Sequence, residues 1–178
     1  MKAIWLLAGI TVLLALVLIT CRSQDAHGEP LTGAAELSEL SDDRLEGAVL
    51  TELGRACYGE GARADAWRGL HSDARQLWAV AHAPRDIGDV GLTRWLQDHA
   101  QEASTPGPDE LADGLTGMGL EDAATVASEI RAHATHPSAS TDLGRVQERL
   151  FAALVTPVAV QTRQAWVRSH LHDLLGRE

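Results

Sequence analysis

The sequence predicts an all-α protein, a single domain of about six helices behind an N-terminal hydrophobic helix. Two observations carry that expectation. Beyond residue 40 the apolar side chains recur every three or four positions, the spacing of one helix face, and nowhere alternate strictly as a half-buried strand would. No long run of Val, Ile, Thr, Tyr and Phe marks a strand, while Ser, Asp, Gly and Pro stand where helices start and stop. The chain has 178 residues, about 157 of them after the leader, enough for one ordinary hydrophobic core.

Residues 1–21 form the leader. Lys2 is followed by an uncharged stretch of 18 residues, Ala3 to Thr20, before Cys21 and Arg22. As a helix this stretch spans about 27 Å, close to the roughly 30 Å hydrocarbon core of a bilayer. Three alternatives stay open: an uncleaved anchor through residues 3–20, a signal peptide that is removed, and a lipoprotein leader. The last rests on Leu18-Ile19-Thr20-Cys21, a lipobox-like run that makes Cys21 a lipidation site, with Thr20 where Gly, Ala or Ser is usual. No A-x-A-like cleavage site stands out near residues 20–28. Lys2 and the terminal amine precede the run and Arg22 alone follows it, so the positive-inside asymmetry places the body on the non-cytoplasmic side.

Residues 22–40 read as a linker, small, polar and marked by Pro and Gly from Gln24 to Ala35. The helical domain follows over 41–178. Ser41 suits an N-cap before Asp42 and Asp43, and Leu45, Val49, Leu53 and Cys57 repeat on one face until Gly59 and Gly61. A second helix starts near Ser72 and carries Leu77, Trp78, Val80 and Ala81. Pro84 and then Gly88-Asp89-Val90-Gly91 interrupt it. A third, about Leu92 to Ala100, holds Leu92, Trp95, Leu96 and His99 on one side. Pro108 suits a first helical position, followed by Asp109 and Glu110, with Leu111, Leu115 and Met118 inward and a stop at Gly117 to Gly119. Leu120 to His133 comes next, with Val126 and Ile130 inward. Asp142 to Val155 and Val158 to Leu175, parted by Thr156-Pro157, complete the set.

Charge and motif content restrict function. A net charge of −10 argues against direct nucleic-acid binding, which needs a basic surface. Two cysteines exclude a disulfide scaffold and a Cys-based zinc module. Neither G-x-S-x-G nor a phosphate loop is present, and no H-E-x-x-H supports a metal among the eight histidines. We therefore expect no catalytic residue, no cofactor and no metal. His133 and His136 lie three apart near a helix end. His170 shares an apolar stripe with Trp166, while His172 points to another face. Cys57 reads as a buried, inert thiol. Trp67, Trp78, Trp95 and Trp166 read as core anchors.

The acids are unevenly placed. Residues 98–129 carry eight acids and no Arg or Lys, whereas residues 131–178 carry four acids and six Arg. Such a segment is either a solvated helix surface or an acidic face that captures a basic partner. On the second alternative the binding acids are Asp109, Glu110, Asp113, Glu121 and Asp122, which no Arg of their own segment offsets. Adjacent acids at helix starts also complement the helix dipole.

The order of elements resembles a helical family whose named member is a bacterial DNA-mimic protein. The matching stretch reads Gln76-Leu77-Trp78-Ala79-Val80, then Ile87-Gly88-Asp89-Val90-Gly91-Leu92-Thr93-Arg94-Trp95-Leu96. It continues through Pro108-Asp109-Glu110-Leu111 to Leu115, Gly117 and Gly119, and then Ala123 to Ile130. Gly88, Asp89, Gly91, Leu92 and Trp95 occupy the family's motif turn, as in a divergent member: Gly91 keeps its place, and Leu92 stands for an aromatic. The resemblance implies a non-enzymatic interaction domain that presents acids to a basic protein, here tethered in a bacterial inner membrane or envelope. Read without the family, the turn needs only glycines at Gly88 and Gly91, which take positive φ at little cost, and Asp89 to cap the next helix.

Overall fold

The computed structural model describes residues 34–59, 66–101, 106–138 and 140–175; the leader, Cys21 and the linker up to residue 33 lie outside them. Every regular element of the described residues is helical. They are α1 (Ala34–Ser38), α2 (Asp42–Tyr58), a 3-10 turn (Ala66–Gly69), α3 (Ser72–Val90), α4 (Leu92–Gln101), α5 (Pro108–Gly117), α6 (Glu121–Thr135), α7 (Leu143–Leu154), α8 (Pro157–Ser169) and α9 (Leu171–Leu175). The all-α expectation therefore holds, with more and shorter pieces than about six. The C-terminal helix expected over Val158 to Leu175 divides at His170, whose backbone leaves helical geometry at φ −111° and ψ 17°. Residues 34–40, read as the end of the linker, hold α1, and its Leu37 is buried in the core.

Helix α3 organises the domain, because α2, α4, α5 and α9 all pack on it. Its buried residues are Ala74, Leu77, Trp78, Ala79, Val80, Ala83 and Ile87. Pro84 does not interrupt it, contrary to the sequence expectation. A proline inside an isolated helix removes one hydrogen bond and costs about 3 kcal/mol. Burying Leu77, Trp78 and Ile87 returns about 1.5–3 kcal/mol each, so tertiary packing outweighs the local penalty.

The motif turn is narrower than its sequence suggests. Gly88 and Asp89 lie in the last turn of α3, and Gly91 alone makes the reversal at φ 83°. The Gly91 N–H donates to the Ile87 carbonyl at 2.8 Å, closing α3, and the Gly91 carbonyl accepts from the Trp95 N–H at 3.0 Å, opening α4. Asp89 does not cap α4. The Leu92 N–H donates instead to Gln147 Oε1 on α7, 2.8 Å away, so a side chain 55 residues distant supplies the acceptor. Leu92 and Trp95 are both buried, and Trp78 and Trp95 reach the core from either side of the turn, each 2% exposed.

Two further contacts fix the packing. A Cβ on Gly114 of α5 would stand 2.9 Å from both the Gln76 carbonyl oxygen and Val80 Cγ2 of α3, so glycine sets how closely these helices cross. Helix α8 is tied to the front of the domain by two arginines. Arg163 pairs with Glu46 of α2, which is only 9% exposed. Arg168 pairs with Asp42 and donates to the carbonyls of Ser38 and Leu40, holding the end of α1. Among the described residues no helix is long and apolar enough to cross a membrane.

Candidate functional site

The five candidate acids do not form one cluster. Asp109 and Glu110 open α5, Glu121 and Asp122 open α6, and Asp113 lies within α5. Two of them are committed inside the fold. Glu110 Oε2 accepts from the Gly107 N–H at 3.0 Å and locks the start of α5. Asp113 accepts from Arg131 Nη1 of α6 at 2.9 Å. Asp109, Glu121 and Asp122 are exposed, and no ion pair engages them among the described residues.

The local count of charges misjudged this segment. Arginines beyond its limits reach into it: Arg94 lies 2.8 Å from Asp98, Arg131 pairs with Asp113, and Arg149 of α7 grips Glu129 through two bonds of 2.8 and 3.0 Å. Of the five candidate acids only Asp113 meets such an Arg; the other two pairs engage Asp98 and Glu129 of the same segment. Sequence separations of 18 and 20 residues hide such pairs from any windowed count.

A second concentration of chemistry escaped the sequence analysis as a pattern. Each Trp of the described residues is followed four positions later by a His: Trp67 and His71, Trp78 and His82, Trp95 and His99, Trp166 and His170. On a helix that spacing brings the two side chains together. Ring centroids lie 3.6 Å apart for Trp78 and His82, 4.5 Å for Trp95 and His99, and 4.2 Å for Trp166 and His170. His71 follows a 3-10 turn and instead accepts the Asp73 N–H at the start of α3, through Nδ1.

The Trp78 pair anchors the most perturbed ionisable groups of the domain. Tyr58, at the end of α2, lies 5.5 Å from the Trp78 ring and 6.4 Å from His82. Burial pushes the His82 pKa down to about 4, with the Arg85 charge adding to the effect. Burial likewise raises the carboxyl of Asp86, against the nearby charges of His99 and Arg85. The Tyr58 hydroxyl is raised by burial and by Asp86, and the Cys57 thiol by burial alone. Such clustering is what functional sites share, and structural aromatic cores share it too. Here burial disfavours the charged form of His82, whose ring packs with Tyr58 and Trp78 in one aromatic wall beside Asp86.

The remaining sequence candidates fall into place around these two regions. Cys57 is free and buried, as expected. His133 and His136 line an open groove with Glu129, Ala132 and Thr141, and Glu129 is already held by Arg149. Among the described residues no three of His, Cys, Asp and Glu converge as metal ligands would. The Trp95 indole N–H is buried without an acceptor. Comparison with known protein families, with curated proteins and with solved structures finds no match to this chain.

Proposed function

We propose that this chain is a non-enzymatic, membrane-tethered helical interaction protein, a divergent relative of the DNA-mimic family, whose acids capture a basic partner protein. The observation that supports it is the exposure of Asp109, Glu121 and Asp122 at the first turns of α5 and α6, where no ion pair among the described residues engages them. Fixed carboxylates on rigid helix ends offer a basic protein a preset charge pattern, as a row of phosphates does. The leader sets where this happens. Residues 3–20 hold the chain in a bacterial inner membrane or envelope with the body on the non-cytoplasmic side. A body placed there meets a basic protein of that compartment, not a cytoplasmic DNA-binding protein.

The test is salt-dependent capture by the chain begun at Gln24. Retention of a basic protein should fall steeply between about 50 and 200 mM salt, as exposed charges are screened. Glu121→Lys with Asp122→Lys should abolish it, while Glu148→Lys with Asp173→Lys should leave most of it. Equal loss from both pairs means attraction to net charge and overturns the site. A second reading, a structural envelope protein without mimicry, is favoured by the pairs Arg131–Asp113 and Arg149–Glu129, which spend acids on joining α5, α6 and α7. Absence of any retained protein at low salt decides for it.

A further inference from the structure

We propose that the corner joining α7 to α8 is a membrane-contact site, by which the domain rests on the bilayer that holds its leader; the inference rests on the tethered reading above. Leu150 to Thr162 is a run of 13 residues without a charge, in a chain of which 22% is charged. A surface segment of that length ordinarily carries about three. The run covers the end of α7, Val155-Thr156, and the first turns of α8. Its buried side is supplied by Leu150, Leu154 and Ala159. That leaves Ala152, Val155, Thr156, Pro157 and Val158 facing outward, with Val155 47% and Val158 71% exposed. The core uses none of these outward side chains, and clustered exposed apolar groups mark contact surfaces.

Charge selects the occupant. Helices α7 and α8 carry Arg145, Arg149, Arg163 and Arg168 against one acid, Glu148. Three of those arginines meet Glu129, Glu46 and Asp42 on other helices, so this corner lacks the acid excess found elsewhere. A bilayer surface suits a neutral apolar corner, because such groups bed about 5–10 Å into the headgroup boundary.

Reach allows it. Thirteen residues, Cys21 to Gly33, separate the hydrophobic run from α1. Fully extended they span at most about 45 Å. Arg168 holds the end of α1 near the last turn of α8, and the 13 residues of α8 put the corner about 20 Å from there.

The test uses the full chain reconstituted in vesicles of phosphatidylethanolamine and phosphatidylglycerol, with an environment-sensitive fluorescent amino acid in place of Val158 or, as the control, of exposed Ser128 on α6. The probe at 158 should emit to the blue and be quenched about threefold more than the probe at 128 by spin-labelled acyl chains. A chain that sediments with the vesicles while both probes stay unquenched overturns the contact and leaves the tether standing. A chain that remains in the supernatant overturns both. A blue-shifted, unquenched probe at 158 whose shift grows with protein concentration means that a second copy covers the corner, and also overturns the contact.

Discussion

Lowering the pH from 7.5 to 5 should cost the domain about 1–2 kcal/mol through one ring, that of His82. The ring is half-buried on α3, packed at a tilt against Trp78, and burial pushes its pKa from 6.5 to about 4. Between those values the unfolded chain takes up a proton that the folded chain refuses. The stability is therefore complete above pH 6.5 and is lost as the pH falls toward 4. Traversing the window down to pH 5 sets a ceiling of about 2 kcal/mol. Solvent reaches the exposed part of the ring and screens Arg85, which brings the expected loss nearer 1 kcal/mol.

The assay is urea unfolding of the chain begun at Gln24, at pH 7.5 and pH 5, for the parent and for His82→Phe. Phenylalanine keeps a ring on Trp78 and removes the proton. Acidification should lower the parent midpoint by about 0.5–1 M more than that of His82→Phe. Other histidines and carboxylates titrate in both proteins and cancel in the comparison. Asp86 has the opposite sign, because burial raises its carboxyl and its contribution is lost as the pH rises, so measurements stop at pH 5. Equal midpoint shifts in the two proteins would refute the reasoning.

Three further outcomes follow from packing and are read by the same unfolding assay at pH 7.5. Gly114→Ala should destabilise by about 1–3 kcal/mol, since its Cβ meets the Gln76 backbone oxygen, whereas Gly117→Ala should change stability by less than about 0.5 kcal/mol because it meets only the end of the Gln76 side chain. Gly91→Val should cost about 1 kcal/mol or more through its φ of 83° alone, as nothing lies within 4 Å of its added Cβ; an unchanged midpoint would remove the strain argument. Glu46→Ala should cost about 2–4 kcal/mol by stranding the largely buried Arg163, and the double variant Glu46→Leu with Arg163→Met should recover most of it.

The sequence made the helices legible and left their joints obscure, for physical reasons that differ from place to place. Leu45, Val49, Leu53 and Cys57 announce α2 because a surface helix must bury one stripe, and all four are buried. Pro84 misled because propensity is local while the packing that overrides it is supplied by α2, α4, α5 and α9. Asp89 misled for a similar reason: capping chemistry favours a neighbour in sequence, and Gln147 is a neighbour only in space. The division at His170 has a signal only in hindsight, since Trp166 and His170 suit a continuous stripe equally well. The Trp–His repeat was present in the letters throughout. Its meaning depends on helical geometry at each site, which gives packed ring pairs at three sites, two tilted and one stacked, and a cap after the 3-10 turn.

The acids show how far charge arithmetic carries a functional argument. Eight acids without a base make residues 98–129 look like a single negative face. Folding delivers Arg131 and Arg149 to two of them, while Arg94 covers Asp98, and Glu110 turns inward to hold its own helix start. Among the described residues the charge that remains sits on Asp109, Glu121 and Asp122, all in first turns, where the positive end of each helix already stabilises them by about 0.3–1 kcal/mol apiece. Replacing these residues therefore lowers stability and negative potential together, and a loss of capture alone does not separate the two. Swapping Glu121 for Asp keeps charge and dipole complement while withdrawing the carboxylate by one methylene. If a partner reads position, that variant should weaken capture with the unfolding midpoint nearly unchanged. If the acids serve only the helices, it should leave both untouched.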